Sequence, residues 1–431
     1  MAAMTGSRPG SAWDGMADRP DTSLRLLAMA AVDLAEHHRR AGPLPWQGGP
    51  GRLIPLAERS GLQGRGGAGF PVWRKLTAVA SGARPVVVGN AAESEPASGK
   101  DVTLLTRCPH LVLDGLQLAA EAVGAEQVYL YVKAGPAEVA ARRALADRER
   151  SGWDRFAVRV HRAPEGFVSG EESAVIASLE GRPALPRFKQ RLAVEAGVRG
   201  RPTLVQNVET LAHLAMLARG GEWWFRQAGT PAEPGTFLAT ISGAVRAPGV
   251  GEAPYGVRLG ELLAAAAGPS EELSAVLVGG YHGTWLPAAG GLDAAVSREG
   301  LAPWGAGPGA GVVIALPGRA CGLEFTARVA SYLAEQSARQ CGPCLNGLPA
   351  MADVLTRLAR RGRDAGLVPA VHRLTELVSG RGACHHPDGT ARMVSSALRV
   401  FETEVRAHLS GACLAARTSA TPAGREVWHE Q

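Results

Sequence analysis

The sequence predicts an α/β protein in three successive regions: a three-layer domain around a mostly parallel sheet, a small α+β domain and a helical C-terminal region. Three observations predict it. Between residues 84 and 164, short β-branched runs alternate with helix-like stretches: "RPVVVGN", "LVLDGLQLAAEAVG", "QVYLYV", "AEVAARRALADRERSG" and "FAVRVHRAP". That alternation is the signature of βαβ units. From about residue 236 the texture changes to short β-like runs, Gly/Pro turns and one helix. From Glu324 onward the chain reads as helical and gathers Cys341, Cys344 and Cys384 in one region. At 431 residues the chain exceeds what a single simple core usually holds.

In chain order, residues 1–22 are rich in Gly, Ser, Pro and Asp and are expected to be disordered. Apolar residues at helical spacing predict a helix over 24–42, and "LIPLAERSG" reads as another. In "GLQGRGGAGFPVWRKLTAVASG" (61–82) the first half is a glycine loop and the second a helix, with Pro71 near its first turn, where proline is tolerated. A buried strand over 84–90 runs into the acidic loop "AAESEPASGKD". An amphipathic helix (111–124), a strand (127–132), a helix (137–152) and a strand (156–164) follow. The domain boundaries expected are 23–235, 236–320 and 321–413, with 414–431 a loose tail.

Composition narrows the function classes. No apolar run approaches the length that crosses a bilayer, so direct membrane insertion is not expected. The N-terminus is interrupted by Asp14, Asp18 and Asp21 and lacks an apolar signal core, which points to the cytoplasm. The formal charge of +6 comes from arginines scattered over helices with no basic block. They read as solvated faces that can favour an acidic protein partner, and no nucleic-acid partner is expected. Six cysteines are too few, in a reducing compartment, for a disulfide framework.

Four stretches carry chemistry. "GRGGAGF" places Gly64, Gly66 and Gly69 in a G-x-G-x-x-G frame, where backbone can approach a phosphate at a helix N-terminus. The alternative is a flexible turn. Lys75, in the helix that follows, can reach a phosphate or a flavin ring. "GNAAESEP" sets Asn90, Glu93, Ser94 and Glu95 after a strand, where open α/β sheets bind ligands. "GEESA" sets Glu171 and Glu172 at the start of a helix, where carboxylates are commonly caps. "CGPC" puts Cys341 and Cys344 in a C-x-x-C frame, which serves disulfides, zinc sites, thiol redox pairs and iron–sulfur clusters alike.

Taken together, "GRGGAGFP", "NAAESEP", "SGEESAVIASLEG", Pro186–Arg187, "PTLVQNVETLA" and "CGPC" occur in the order seen in the NADH-binding flavoprotein subunit of respiratory complex I. The diaphorase subunits of NAD-linked hydrogenases and formate dehydrogenases are similar. The resemblance runs over roughly residues 45–412. It implies a Rossmann-like FMN-binding domain, then a ubiquitin-like, soluble-ligand-binding β-grasp domain, then a helical bundle with a [4Fe-4S] cluster. NAD(P)H would reduce FMN, and electrons would pass through the iron–sulfur cluster to other redox subunits or an electron-acceptor protein. Location would be cytoplasmic, or peripheral to a membrane complex. Carried over motif by motif, the FMN site would comprise Gly64, Arg65, Gly66, Gly67, Ala68, Gly69, Lys75, Asn90, Glu93, Ser94, Glu171, Glu172, Asn207 and Thr210. Phe70 and Glu95 would contact NAD(H), with Glu95 and Lys75 closest to the chemistry, and Cys341, Cys344 and Cys384 would hold the cluster.

The departures from that pattern are specific. Ala338 stands where the family's C-x-x-C-x-x-C frame has its first cysteine, although [4Fe-4S] cubes normally take four thiolates. Three cysteines can hold a cube with another ligand on the fourth iron, or a three-iron cluster. His385, His386 and Cys321 are candidate substitutes; the alternatives are exposed loop histidines and a buried small apolar residue. On the nucleotide side, Ala92, Phe167, Leu192, Ala78 and Gln206 replace an acidic residue, a tyrosine, two aromatics and an asparagine. The glycine loop is thus better kept than the aromatic clamp. A flavin/iron–sulfur relay with another electron donor, and a cofactor-free binding homologue, are the alternative functions.

Overall fold

A computed structural model describes residues 25–188 and 191–415; the disorder expected over 1–22 and most of the tail expected over 414–431 lie outside them. The chain first forms α1 (Leu34–Ala41), α2 (Pro50–Ser60) and α3 (Val72–Ala80), with the glycine loop between α2 and α3. The single helix expected over 24–42 is not formed. The backbone amides of Arg25, Leu26 and Leu27 all donate to the carboxylate of Glu252, and Asp33 caps α1 by accepting from Glu36. Those two anchors divide the stretch, and a short 3-10 turn, Leu27–Met29, occupies its first part.

β1 (Val86–Ala91), α4 (Lys100–Arg107), α5 (Pro109–Val123), β2 (Gln127–Lys133), α6 (Pro136–Ser151), β3 (Val158–Ala163), α7 (Glu172–Leu179), β4 (Thr203–Asn207) and α8 (Val208–Arg226) complete the first region. Their strands form one parallel sheet in the order β3-β2-β1-β4. Val87 and Leu130 pack under α5 and α8, whereas Val86, Val88 and Tyr131 pack on the opposite face with Val175 and Ile176 of α7. Both faces are therefore covered, as parallel sheets require. The chain steps outward from β1 to β3, then returns to place β4 on the other side of β1. That reversal opens a crevice at the carboxyl ends of β1 and β4, where Asn90 and Asn207 are register partners.

α5 differs from its expected amphipathic character, because every residue of Pro109–Val123 is buried. Its polar stripe is paired inside the protein. Asp114 receives His37, Arg148 and Arg219. Gln117 accepts from the Phe156 amide and donates to the Phe156 carbonyl, and Glu121 accepts from Gln47 and Gly48 amides. α5 also crosses α8 so closely that a Cβ on Gly115 would lie 1.8 Å from the Leu211 carbonyl.

The second region holds β5 (Thr236–Gly243), β6 (Gly249–Pro254), α9 (Leu259–Ala265), β7 (Leu273–Val278), β8 (Thr284–Pro287) and β9 (Val312–Pro317). They form a mixed sheet in the order β6-β5-β9-β7-β8, with only β5 and β9 parallel. The C-terminal part is helical: α10 (Gly322–Glu335), α11 (Leu348–Ala359), α12 (Leu367–Val378), α13 (His386–Val400) and α14 (Glu402–Leu409). Its core includes Leu333, Met351, Leu358, Val371 and Val394, all fully buried, and continues onto Trp285 of β8.

Candidate functional site

A cleft of about 830 Å³ runs between the three regions. Gly66, Gly67 and Ala68 line one end, Asn90, Glu93, Ser94, Glu95, Glu171 and Asn207 its floor, and Cys384 the other end. This size falls in the range of small-molecule and cofactor sites, ~300–1,000 Å³. The topological crevice thus gathers the glycine loop, the post-β1 acidic loop and the C-terminal cysteine region around one space.

The loop is held by its neighbours. The Arg65 amide donates to Thr210 Oγ1 (2.8 Å), and the Gly64 amide to the Phe70 carbonyl (2.9 Å). Gly69 has φ +58°, and a Cβ there would meet the Arg298 guanidinium at 1.8 Å. Arg298 in turn donates to the Ala68 carbonyl (2.6 Å), joining the loop to the second region. The Arg65 side chain does not point to the cleft. It is buried, donates to the Pro234 and Thr236 carbonyls and lies over the Tyr255 ring. Thr210 is fully buried and serves the loop backbone, and Phe70 is exposed outside the cleft lining.

Beneath the cleft lies a charge network that the sequence alone does not announce. Lys100 is 3% exposed and donates to Asp101 (2.6 Å) and Asn207 (2.9 Å), with Glu209 at 3.1 Å. Burial works to lower its pKa but is outweighed by Asp101, Glu209 and Glu93, so the ammonium is held firmly charged. Asn207 donates to Asp101 (2.8 Å), and Asn90 donates to the Gly170 carbonyl (2.9 Å). Glu93 accepts from the Asp101 and Val102 amides in the first turn of α4 and from Ser98; burial and Asp101 raise its pKa. The available signal was "GKD" shortly after Glu93, but a lysine–aspartate pair in a loop ordinarily reads as solvated.

Glu95 reaches across to the second region, accepting from the Tyr281 amide (2.8 Å) as well as from Ala97 (3.2 Å). Burial lifts its pKa to about 7 against the pull of those two bonds. Ser94 donates to the Ala92 carbonyl, and Glu171 caps α7 through the Ser173 and Ala174 amides. Lys75 does not line this cleft. It donates to Glu172 (2.8 Å), and Glu172 lines a neighbouring cavity of about 420 Å³ with Arg187 and Phe188. The consecutive carboxylates of "GEE" therefore serve two adjoining spaces.

At the other end, Cys341 and Cys344 flank the start of a π-helical turn, Pro343–Gly347, after α10. Burial, Cys341 and Cys384 together raise the Cys344 thiol to about 12, and the Ala338 amide donates to its sulfur. The three cysteines expected to act together are thus electrostatic neighbours, with Ala338 beside them. The candidate substitutes are placed otherwise. His385 is exposed and faces Asp388. His386 is buried, contrary to the exposed-loop alternative. Its Nε2 meets the Leu333 carbonyl (2.8 Å) and its Nδ1 meets His282 Nε2 (3.0 Å), so both nitrogens are committed. Phe167 packs against His282, His386 and Tyr332 while its amide donates to Gln336. Cys321 lies in a different group, with Glu404, His408 and Cys413. Of the altered clamp positions, Leu192 is 57% exposed.

Known proteins resemble this chain over most of its length. A family model for the Nuo51 FMN-binding domain matches residues 57–216, and one for the NADH-ubiquinone oxidoreductase-F iron–sulfur binding region matches 324–408. The chain is 33% identical over 377 residues to the NADH-quinone oxidoreductase-F 2 protein of Rhizobium meliloti (strain 1021), covering 84% of this chain and 89% of that one. It is 31% identical over 379 residues to the NADH-quinone oxidoreductase-F protein of Streptomyces coelicolor (strain ATCC BAA-471 / A3(2) / M145), covering 84% of each. Among solved structures, an NAD+-reducing [NiFe]-hydrogenase in the air-oxidized state aligns with a TM-score of 0.80 and 31% identity, over 90% of this chain and 67% of that one. From the crevice beside the glycine loop to the cysteine region at its far end, this chain belongs to the NADH-quinone oxidoreductase-F family.

Proposed function

We propose that the chain is an FMN-dependent NAD(P)H-oxidising subunit that passes electrons through an iron–sulfur cluster to a partner redox protein. The single observation that carries this reading is the continuous cleft from Gly66 and Gly67 to Cys384. The residues present fit both groups: a loop with backbone open to the cleft, convergent polar side chains at a topological switch point, and three neighbouring thiols. Bound FMN would accept two electrons together and release them singly.

The protein's own part is positional and electrostatic. Within the Gly64–Gly69 loop, the Gly66–Ala68 backbone that lines the cleft would meet the phosphate, while the Gly64 and Arg65 amides hold the loop in shape. Asn90, Ser94 and Asn207, which line the cleft, would orient the flavin, and Lys100 holds Asn207 in place. Lys75 and Glu172 act as an ion pair at the adjoining cavity. Glu95, with its pKa near neutrality, is placed to hold a proton beside the nicotinamide. Cys341, Cys344 and Cys384 would hold the cluster, which without a cysteine at Ala338 would take another ligand or be a three-iron cluster. The mixed sheet over 236–320 is read as a β-grasp domain, between an FMN domain over 23–235 and an iron–sulfur bundle over 321–413. Among the described residues no helix is long and apolar enough to cross a membrane, and any membrane complex would be reached through other chains.

The test is a visible spectrum of anaerobically purified protein, with flavin and iron quantified, before and after NADH. Flavin and iron present and bleached by NADH is the expected result. Cofactors present but indifferent to NADH would instead favour a relay using another donor, a reading to which the exposed Leu192 lends weight. Colourless protein after reconstitution would overturn both.

A further inference from the structure

We propose that Cys321, Glu404, His408 and Cys413 form a structural zinc site that ties the first helix of the C-terminal region to its last. Each offers one ligand atom, and these atoms lie within 4.8 Å of one another. All four residues are at most 8% exposed. Two thiols, an imidazole and a carboxylate facing one point make a tetrahedral S2NO donor set, which suits zinc best among common cations.

The distances agree with such an ion. Zn–S bonds of about 2.3 Å and Zn–N or Zn–O bonds of about 2.0 Å place tetrahedral ligands about 3.5 Å apart. Cys321 Sγ is 3.5 Å from His408 Nε2 and 3.7 Å from Glu404 Oε1. The His408 Nε2–Glu404 Oε1 separation is shorter, 2.9 Å, a hydrogen bond that the ion would replace.

The surroundings orient the ligands. His408 Nδ1 lies 2.9 Å from the Leu358 carbonyl, which fixes Nδ1 as the protonated nitrogen and leaves Nε2 as the ligand atom. Both imidazole nitrogens thus face acceptors, and the Glu404 carboxylate and Cys321 sulfur crowd the same point. A divalent ion at that point would take the place of the proton between His408 and Glu404 and bind both sulfurs as well. The Leu414 amide steadies Glu404 (3.1 Å), and the Glu324 amide approaches Cys321 Sγ (3.5 Å). On binding, the two thiols release their protons to solvent and the proton shared by His408 Nε2 and Glu404 leaves with them, so two thiolates, an imidazole nitrogen and a carboxylate meet a divalent ion.

The placement suggests the purpose. Cys321 caps the N-terminus of α10, whose far end leads to Cys341. Glu404 and His408 lie one turn apart on α14, and Cys413 follows it. The family model for the iron–sulfur region matches 324–408, so the two cysteines flank the matched segment. The ion would close the chain around a cysteine cradle that lacks one thiolate.

The experiment counts zinc and iron separately in protein purified without chelator and offered one equivalent of Zn2+ under reducing conditions. One zinc per chain is expected. It should fall at least about tenfold in Cys413→Ser and Cys321→Ser and persist in Cys341→Ser, in line with the loss of affinity when a zinc site is disrupted. Zinc-edge X-ray absorption of the unaltered protein should show two sulfur and two nitrogen or oxygen neighbours, and this decides the matter even if the variants fail to fold. Absence of stoichiometric zinc in the unaltered protein, zinc unchanged in Cys413→Ser, or an all-sulfur or sulfur-free shell would overturn the proposal. Because zinc is counted apart from flavin and NADH response, its outcome is independent of the proposed oxidoreductase function.

Discussion

At the glycine-loop end of the cleft, the contacts offered to a ligand are largely backbone: Gly66, Gly67 and Ala68 line the space, and a buried ion network beneath them keeps Asn207 in place. At the cysteine end the contacts are side-chain atoms, one family position is Ala338, and the nearby His386 has both nitrogens committed. A backbone cradle survives many substitutions because nearly every residue carries an N–H. A thiolate site loses a whole ligand with each change. The two ends therefore respond differently to substitution: the loop where a Cβ has no room, as at Gly69, and the cysteine end wherever a thiolate is lost.

The strongest way to break the comparison is at the cysteine end. Cys344→Ser should lower bound iron at least about tenfold, because clusters are held by thiolates and a hydroxyl is a poor replacement, while flavin content stays unchanged. Iron and flavin assays on the same preparation check both halves, and unchanged iron would refute the ligand assignment.

The corresponding test of the other end is Lys100→Met. It strands Asp101 and Glu209 in the interior without their cation. Removing one partner of a buried ion pair costs about 3–5 kcal/mol, so a large drop in the urea midpoint together with loss of flavin is expected. A small drop would mean that the network is not what supports the cradle.

A milder probe is Gly69→Ala. The residue has φ +58°, and the added methyl meets the Arg298 guanidinium. A left-handed backbone costs a non-glycine residue roughly 1–2 kcal/mol; titration with FMN should show weaker binding, and iron should be unaffected. Unchanged FMN affinity would place the phosphate away from this loop.

The subtlest effect is pH-dependent. The Glu95 pKa is raised to about 7 in the folded protein. Its contribution to stability is therefore full below the ordinary carboxylate value of about 4.3 and is lost as pH rises through the folded value. Relative to Glu95→Gln, the unaltered protein should lose denaturant resistance between those limits and run parallel above them. NADH oxidation should show an inflection near the Glu95 pKa that the variant lacks, and identical profiles would remove Glu95 from the reaction.

Much of the architecture was legible in the residues themselves. Apolar runs specify β1 and β2 because strands buried on both faces need continuous Val, Ile and Leu. The glycine, proline and apolar-period signals around 61–82 place α3 closely. The glycine frame, "NAAESEP" and the C-x-x-C were likewise visible, since each depends on residues close in the chain. Tertiary structure decided what depends on residues far apart. It turned the polar stripe Asp114–Gln117–Glu121 from a solvent face into an internal spine, by supplying Arg148, Arg219 and backbone donors from other elements. It turned Lys100 from a loop charge into the buried centre of the site, and the Arg65 side chain from an expected part of the FMN site into a support for the second region. It also brought Cys321 to His408 across 87 positions. Local sequence sets backbone propensity and apolar period, but the environment of a polar side chain is set by whichever distant groups fold against it.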